Sequence, residues 1–297
     1  MSTTHTVTIR EVGPRDGLQS EAPIPVETRV QLINGLVAAG VRHIEATAFV
    51  SPKAVPSMAG AASVMSSLER PTGVWYWALV PNLRGAEMAL DAEVDAVTVT
   101  VSASEVYSQK NVHMSVDESV AEAEKIGHFI HRQLPLDAVI SCAFGSPYEG
   151  DIPPATIVQL GERLLDGGAS SVTLADTTGM ATPRRVDELL GETGNAVGLH
   201  FHETRGTGLL NAYAALEGGV TRFDTSVGGL GGSPFAAGAA GNVATEDLVH
   251  LLDDLGVSTG IDLERLLEVS QLVAEAVGHP VPSRVAAAGP RWRLRAP

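Results

Sequence analysis

The chain has 297 residues, 44% of them hydrophobic, with a formal net charge of −15 and a pI near 4.9. That length suits one large α/β domain and the apolar share excludes global disorder, while so acidic a field repels duplex nucleic acid and anionic membrane surfaces. The single cysteine, Cys142, excludes an intrachain disulfide and fits a reducing compartment.

The opening "MSTTHTVTIR" has neither a secretory apolar core nor an Arg-rich presequence, and no stretch approaches the roughly 20 apolar residues that span a bilayer. The expectation is a soluble cytoplasmic protein. Strand-like runs then alternate with helical patterns along the chain. Strand 6–12 precedes helix 26–40, strand 42–48 a helix near 57–69, strand 73–80 a helix near 82–91, and strand 95–102 helix 116–134. Strand 136–144 precedes a helix near 153–167, strand 170–176 a helix near 183–193, strand 196–203 a helix near 207–218, and strand 221–229 a Gly-rich loop and a helix near 245–255. A last helical segment, 261–278, covers the barrel or packs between subunits, and "PSRVAAAGPRWRLRAP" reads as a mobile tail.

Regular strand–helix alternation argues for parallel strands with helical crossovers. Eight such units in this length predict one closed (β/α)₈ barrel over about 6–255, with a C-terminal helical extension over about 256–280. No GxGxxG opens a helix after the first strand, so a dinucleotide fold is not indicated.

Active sites of such barrels lie at the C-terminal ends of the strands. The polar residues there are Glu11, Arg15, Asp16 and Gln19 after the first strand, Glu45 on the second, and Asp176 at the end of the sixth. His200 and His202 end the seventh, and Ser233, Asn242 and Glu246 follow the eighth. Side chains on a strand alternate faces, so His200 and His202 point one way and Phe201 the other. Two imidazoles and a carboxylate facing one point suit a divalent cation; the alternative is two hydrogen-bonded core histidines. "GPRDGLQ" has the Gly-Pro and Asp-Gly dipeptides of a turn. A turn alone requires neither Arg15 nor Asp16, whereas an arginine beside a metal ligand suits an anionic or enolate intermediate. "VGGLGGSPFAAGAAGN" has six glycines, which allow a flexible loop and close backbone approach to a substrate.

Together, "EVGPRDGLQ", "IEATAFVSPKAVPSM", "SCAFGSPYEG", "DTTG", "HFHETRGTG" and "GGLGGSPFAAGAAGNVATEDLV" resemble the 3-hydroxy-3-methylglutaryl-CoA lyases, among the metal-dependent lyase and synthase barrels. The resemblance runs from about residue 6 to 280 with the motifs in family order. It implies one divalent cation, Mg²⁺ or Mn²⁺, on Asp16, His200, His202 and Asn242. It implies enolate neutralisation by Arg15, support from Glu45, and binding or proton transfer by Asp176. The implied reaction cleaves the acyl-CoA substrate to acetyl-CoA and acetoacetate. The condensing synthases of this group usually carry "D.LRDG.Q" and a C-terminal regulatory domain, so "GPRDGLQ" and the chain's end near residue 297 favour the lyase. A metal-binding barrel without catalysis is the third reading, and the intact Arg15, Asp16, His200, His202 and Asn242 set speaks against it.

The chain departs from the family at Ser233, where the lyases carry a cysteine linked to proton transfer ("GGLGGCP"). A thiol titrates near about 8.5 and a serine hydroxyl is a far weaker acid. The expectation is reduced activity on the family substrate, or a metal-bound water or another acid in the thiol's place. Arg205 in "HETRG" stands where many members have "HDTYG", and reads either as a selector for an anionic substrate group or as a surface variant. Gln19, Lys53, Lys110 and Asn111 are further candidates for substrate binding, the lysines toward CoA phosphates or as solvated loop residues. Relatives are often dimers, so a homo-oligomer is expected.

Overall fold

The computed structural model of the protein describes residues 6–232 and 240–293. Ser233 therefore lies outside the described residues. The strands are β1 (Thr8–Glu11), β2 (His43–Ala48), β3 (Trp75–Leu79), β4 (Ala96–Ser102), β5 (Leu136–Ser141), β6 (Ser171–Ala175), β7 (Gly198–His200) and β8 (Arg222–Thr225). They pair in parallel in sequence order, and β8 returns to β1 with Thr8 opposite Arg222 and Glu11 opposite Thr225. The sheet is a closed barrel, as the eight alternating units predict. Strand β2 carries an irregularity between Glu45 and Thr47 in its register with β3.

The helices are α1 (Val26–Ala38), α2 (Ala61–Ser67), α3 (Leu83–Asp91), α4 (Glu105–Val112), α5 (Val116–Ile130), α6 (Pro154–Asp166), α7 (Pro183–Thr193), α8 (Gly208–Glu217), α9 (Thr245–Asp254), α10 (Leu263–Val277) and α11 (Arg284–Ala288). Local chemistry sets several starts. Ser115 and Glu118 form a reciprocal capping box on α5, Asn82 caps α3, Asp262 caps α10, and prolines open α6 and α7. Helix α4 is an addition to the sequence reading. Its segment "EVYSQKNV" has no apolar period, but Ser104 accepts a hydrogen bond from Tyr107 N and starts the turn. Among the described residues no helix is long and apolar enough to cross a membrane.

Aliphatic side chains of the helices and the outer strand faces form the shell, including Leu32, Ile33, Leu36, Val64, Ile126 and Leu266, all fully buried. The lumen is different. Arg10 of β1 reaches across to Asp137 of β5 at 2.9 Å, and Glu45 of β2 accepts from Thr98 of β4. Contacts between non-adjacent strands run through the barrel interior, so its filling is ionic and polar rather than purely aliphatic.

Residues from Pro282 on, which the sequence places in a mobile tail, are anchored as far as α11. Val281 and Pro282 lie against the turn at Gly228–Gly229, and Ser283 N donates to Gly228 O at 2.9 Å. Asp247 accepts from Ser283 Oγ and Val285 N, both at 2.8 Å. A capping serine followed by Arg-Val-Ala-Ala-Ala gives this short helix its start.

Candidate metal centre and active site

Strand β1 ends in a single wide helical turn, Gly13–Gly17, with Asp16 N and Gly17 N both donating to Val12 O at 2.7 and 3.2 Å. An i→i−5 turn of this kind commonly marks a functional site. It swings Arg15 and Asp16 over the barrel mouth. Buried Glu11 ties the turn down: its Oε1 accepts from Gly13 N at 2.7 Å and from Val227 N at 2.8 Å, and its Oε2 meets Thr245 Oγ1 at 2.5 Å. Thr245 Oγ1 in turn lies 2.7 Å from Thr225 Oγ1. Burial pushes the Glu11 carboxyl up to about 8, against the pull of these hydrogen bonds.

Arg15 is nearly buried. Its Nε donates to Glu45 Oε2 at 2.5 Å and its Nη1 to Asp16 Oδ1 at 2.6 Å. Burial alone would raise the Asp16 carboxyl. Arg15 first, then His200, His202 and the Asn242 amide, more than offset it and hold Asp16 at about 2.

The histidines behave as strand alternation predicts. Phe201 packs away from them, with its ring 5.7 Å from that of Phe144, while His200 Nε2 and His202 Nε2 come within 3.1 Å. Each ring's other nitrogen faces an acceptor. His200 Nδ1 lies 3.3 Å from Asp224 Oδ2, and His202 Nδ1 lies 3.0 Å from Ala240 O. A carbonyl and an ionised carboxylate only accept, so each Nδ1 carries the proton and each Nε2 presents a lone pair. Two lone pairs at this distance require a positive charge between them, a proton in the bare site or a cation in the filled one.

The third donor decides between these. Asp16 supplies a carboxylate oxygen, and ligand atoms of Asp16, His200 and His202 lie within 4.8 Å of one another. Asn242 adds a fourth: its Nδ2 donates to Asp16 Oδ2 at 2.8 Å and to Leu230 O at 3.0 Å, leaving the buried Oδ1 without a partner among the described residues. His202 and Asn242 also form an isolated antiparallel bridge, which brings the far end of the chain to the site. Gly241 makes this approach possible, because a Cβ there would stand 1.9 Å from Gly229 O. One carboxylate, two imidazole nitrogens and one amide oxygen fit a divalent cation that prefers mixed N/O ligands.

Asp176 Oδ1 accepts from Met180 N at 2.7 Å and Ala181 N at 3.0 Å, and its Oδ2 is buried with no partner among the described residues. Burial, partly offset by these bonds and by Arg205, pushes Asp176 up to about 7. Arg205 Nη1 donates to Thr178 O and Gly179 O, both at 2.8 Å, so it clips the turn that follows Asp176. Gln19, Lys53, Lys110 and Asn111 are exposed on the connections after β1, β2 and β4, and Lys110 Nζ lies 5.2 Å from the Tyr148 ring. The site residues that sequence reasoning missed are Arg10 and Asp224. Their signal was a charge inside a short strand, Arg10 in "TIRE" and Asp224 in "RFDT".

Comparison with known proteins gives concordant results. The HMGL-like family model matches residues 6–273. The chain is 42% identical over 285 residues to hydroxymethylglutaryl-CoA lyase YngG of Bacillus subtilis, covering 94% of this chain and 95% of the relative. It is 41% identical over 289 residues to 3-hydroxy-3-isohexenylglutaryl-CoA/hydroxymethylglutaryl-CoA lyase of Pseudomonas aeruginosa, covering 95% of this chain and 96% of that one. Its fold matches the structure of an HMG-CoA lyase from Acinetobacter baumannii in complex with coenzyme A and 3-methylmalate. There the TM-score is 0.94 at 38% identity, over 100% of this chain and 99% of that one.

Proposed function

The chain belongs to the HMGL-like family, and on that premise we propose that it is a cation-dependent carbon–carbon lyase. Its substrate is a 3-hydroxy-3-methylglutaryl-CoA-type thioester, and its products are acetyl-CoA and acetoacetate. The observation that carries this reading is the convergence of Asp16, His200 and His202 beside the buried Arg15 guanidinium. Asp16, His200, His202 and Asn242 would hold the cation, Mg²⁺ or Mn²⁺. Such an ion supplies a Lewis acid that eases loss of the proton from the substrate's tertiary hydroxyl.

The chain's own residues do the rest. Asp176, whose buried Oδ2 has no partner among the described residues and whose carboxyl burial pushes up to about 7, is suited to take the hydroxyl proton at neutral pH. As the new carbonyl forms, the C2–C3 bond breaks and its electron pair passes into the thioester enolate. Arg15 stabilises the enolate oxygen through the N–H groups not committed to Glu45 and Asp16. Glu45, itself fixed by Thr98, keeps the guanidinium from rotating away. Return of one proton to the enolate carbon gives acetyl-CoA and closes the balance. A serine hydroxyl at position 233 is a poor donor for that return, so Asp176 is the better-matched acid. Lys53, Lys110, Asn111, Gln19 and Arg205 are the candidates for the CoA and carboxylate ends. The reading includes a cytoplasmic location and a homo-oligomer.

The test is direct. Purified protein with 3-hydroxy-3-methylglutaryl-CoA and Mn²⁺ should release acetyl-CoA and acetoacetate in equal amounts, and excess EDTA should stop it. Failure to release either, with Mn²⁺ bound, removes this substrate.

A further inference from the structure

The lumen ion pairs form a continuous chain that ends on a metal-ligand candidate. Asp137 Oδ2, fully buried, lies 2.9 Å from Arg10 Nη1 and also accepts from Thr173 Oγ1 at 2.7 Å. Arg10 grips Asp224 with two bonds, Nε to Oδ1 at 2.8 Å and Nη2 to Oδ2 at 2.7 Å, and lies 5.1 Å from the Trp77 ring. Asp224 Oδ2 then faces His200 Nδ1 at 3.3 Å. All four residues of the chain, Asp137, Arg10, Asp224 and His200, are less than a tenth exposed.

We propose that Arg10 and Asp224 are positioning residues for the cation site, with Arg10 orienting Asp224 and Asp224 setting the ring orientation and tautomer of His200. This rests on the metal reading given above. Asp224 has both oxygens engaged by the Arg10 fork, so its plane is fixed and only Oδ2 remains for His200. With the carboxylate held there, the proton belongs on Nδ1, and Nε2 is left as a lone pair aimed at His202 and Asp16. A histidine that binds a metal through one nitrogen commonly donates its other N–H to a carboxylate, and loss of that partner typically weakens metal binding by about 10–100-fold. Here the carboxylate is itself locked from below by an arginine on the first strand. A core ion pair serving stability alone would not need Oδ2, already bonded to Arg10 Nη2, also aimed at His200 Nδ1.

The substitution that separates the two roles is Asp224→Asn. An amide offers one acceptor where Asp224 offers two, so the Asn NH₂ group faces Arg10 Nε in one orientation, and both Arg10 Nη2 and His200 Nδ1 in the other. Facing His200, it forces the proton to Nε2 and blocks the ligand lone pair. Two readouts are taken on ¹⁵N-histidine-labelled protein, with the His200 signal identified by its loss in His200→Gln. The first is the His200 tautomer by NMR in chelator-treated protein, at a pH where the ring holds one proton. The second is Mn²⁺ affinity by electron paramagnetic resonance of the free ion.

Wild type is expected to show the Nδ1–H form, Asp224→Asn the Nε2–H form with Mn²⁺ bound about 10–100-fold more weakly, and Arg10→Lys an intermediate loss. An Nε2–H form in the wild type overturns the proposal with no variant needed, which covers an Asp224→Asn chain that does not fold. Unchanged tautomer and affinity in both Asp224→Asn and Asp224→Leu, the latter offering His200 no acceptor in any orientation, overturn it as well. Failure of the metal reading looks different: Mn²⁺ affinity would then be unmoved by His202→Ala, whatever the tautomer of His200.

Discussion

Asn242 Nδ2 donates to Asp16 Oδ2 at 2.8 Å across 226 residues of chain. This bond joins the wide turn after β1 to the segment before α9, so the site exists only once β8 has closed on β1. Asn242 is thereby both a candidate ligand through Oδ1 and the group that orients Asp16. Asn242→Ala is expected to weaken Mn²⁺ binding by about 10–100-fold while the barrel stays folded. Equilibrium Mn²⁺ titration with circular dichroism of the same samples checks both halves.

Gly241 carries a steric prediction. A Cβ 1.9 Å from Gly229 O cannot be relieved by turning a side chain, because the opposing atom is backbone. Gly241→Ala should therefore displace Asn242, costing about 1–3 kcal/mol of stability and Mn²⁺ affinity together. A thermal melt at unchanged midpoint with normal Mn²⁺ binding would contradict the close approach.

Arg15 separates charge from geometry. Arg15→Lys keeps a cation between Glu45 and Asp16 but loses the planar fork that serves both carboxylates and the enolate. The expected result is a fall in kcat of about 10²- to 10³-fold with a smaller change in Mn²⁺ affinity. Equal losses in both would place the role of Arg15 in holding Asp16 rather than in the chemistry.

Asp176→Asn retains an acceptor for Met180 N and Ala181 N and so should preserve the turn. It removes the exchangeable proton, and kcat is expected to fall about 10²- to 10⁴-fold with Mn²⁺ affinity retained. Ser233→Cys should raise the rate if proton delivery is slow in this chain, which steady-state assays of the two variants and their combination would show.

Glu11 gives a pH dependence of stability. In the unfolded chain its carboxyl releases a proton near 4.5, whereas burial keeps the folded form protonated up to about 8. The folded state thus binds more protons across that window, and this group's contribution to stability declines as pH rises from about 5 to 8. Glu11→Gln keeps Oε1 for Gly13 N and Val227 N and offers an N–H to Thr245 Oγ1. Its unfolding midpoint should fall less steeply between pH 5 and 8 than that of the wild type. A parallel slope in the two proteins would place the dependence elsewhere.

Much of this was legible in sequence because it rests on periodicity. Eight strand–helix units foretell the barrel, and two-residue alternation foretells which way His200, Phe201 and His202 face. What was not legible depends on contacts between distant strands. Arg10, Asp137 and Asp224 lie in three separate strands, and only closure shows that they meet in the lumen. Helix α4 was hidden because its stabilisation comes from the Ser104 cap rather than an apolar stripe. The wide turn at Gly13–Gly17 reads as an ordinary βα turn until Glu11 is seen gripping it from below. Arg205, weighed as a substrate selector, uses its Nη1 to bind two carbonyls of the turn after Asp176.

The most direct test of the central claim is add-back of cation to chelator-stripped protein in the presence of 3-hydroxy-3-methylglutaryl-CoA, following acetyl-CoA. The account predicts no release without cation, saturable recovery with Mn²⁺ or Mg²⁺, and no recovery in His200→Ala at the same cation concentrations. Full turnover in stripped protein, or equal recovery in His200→Ala, would contradict it.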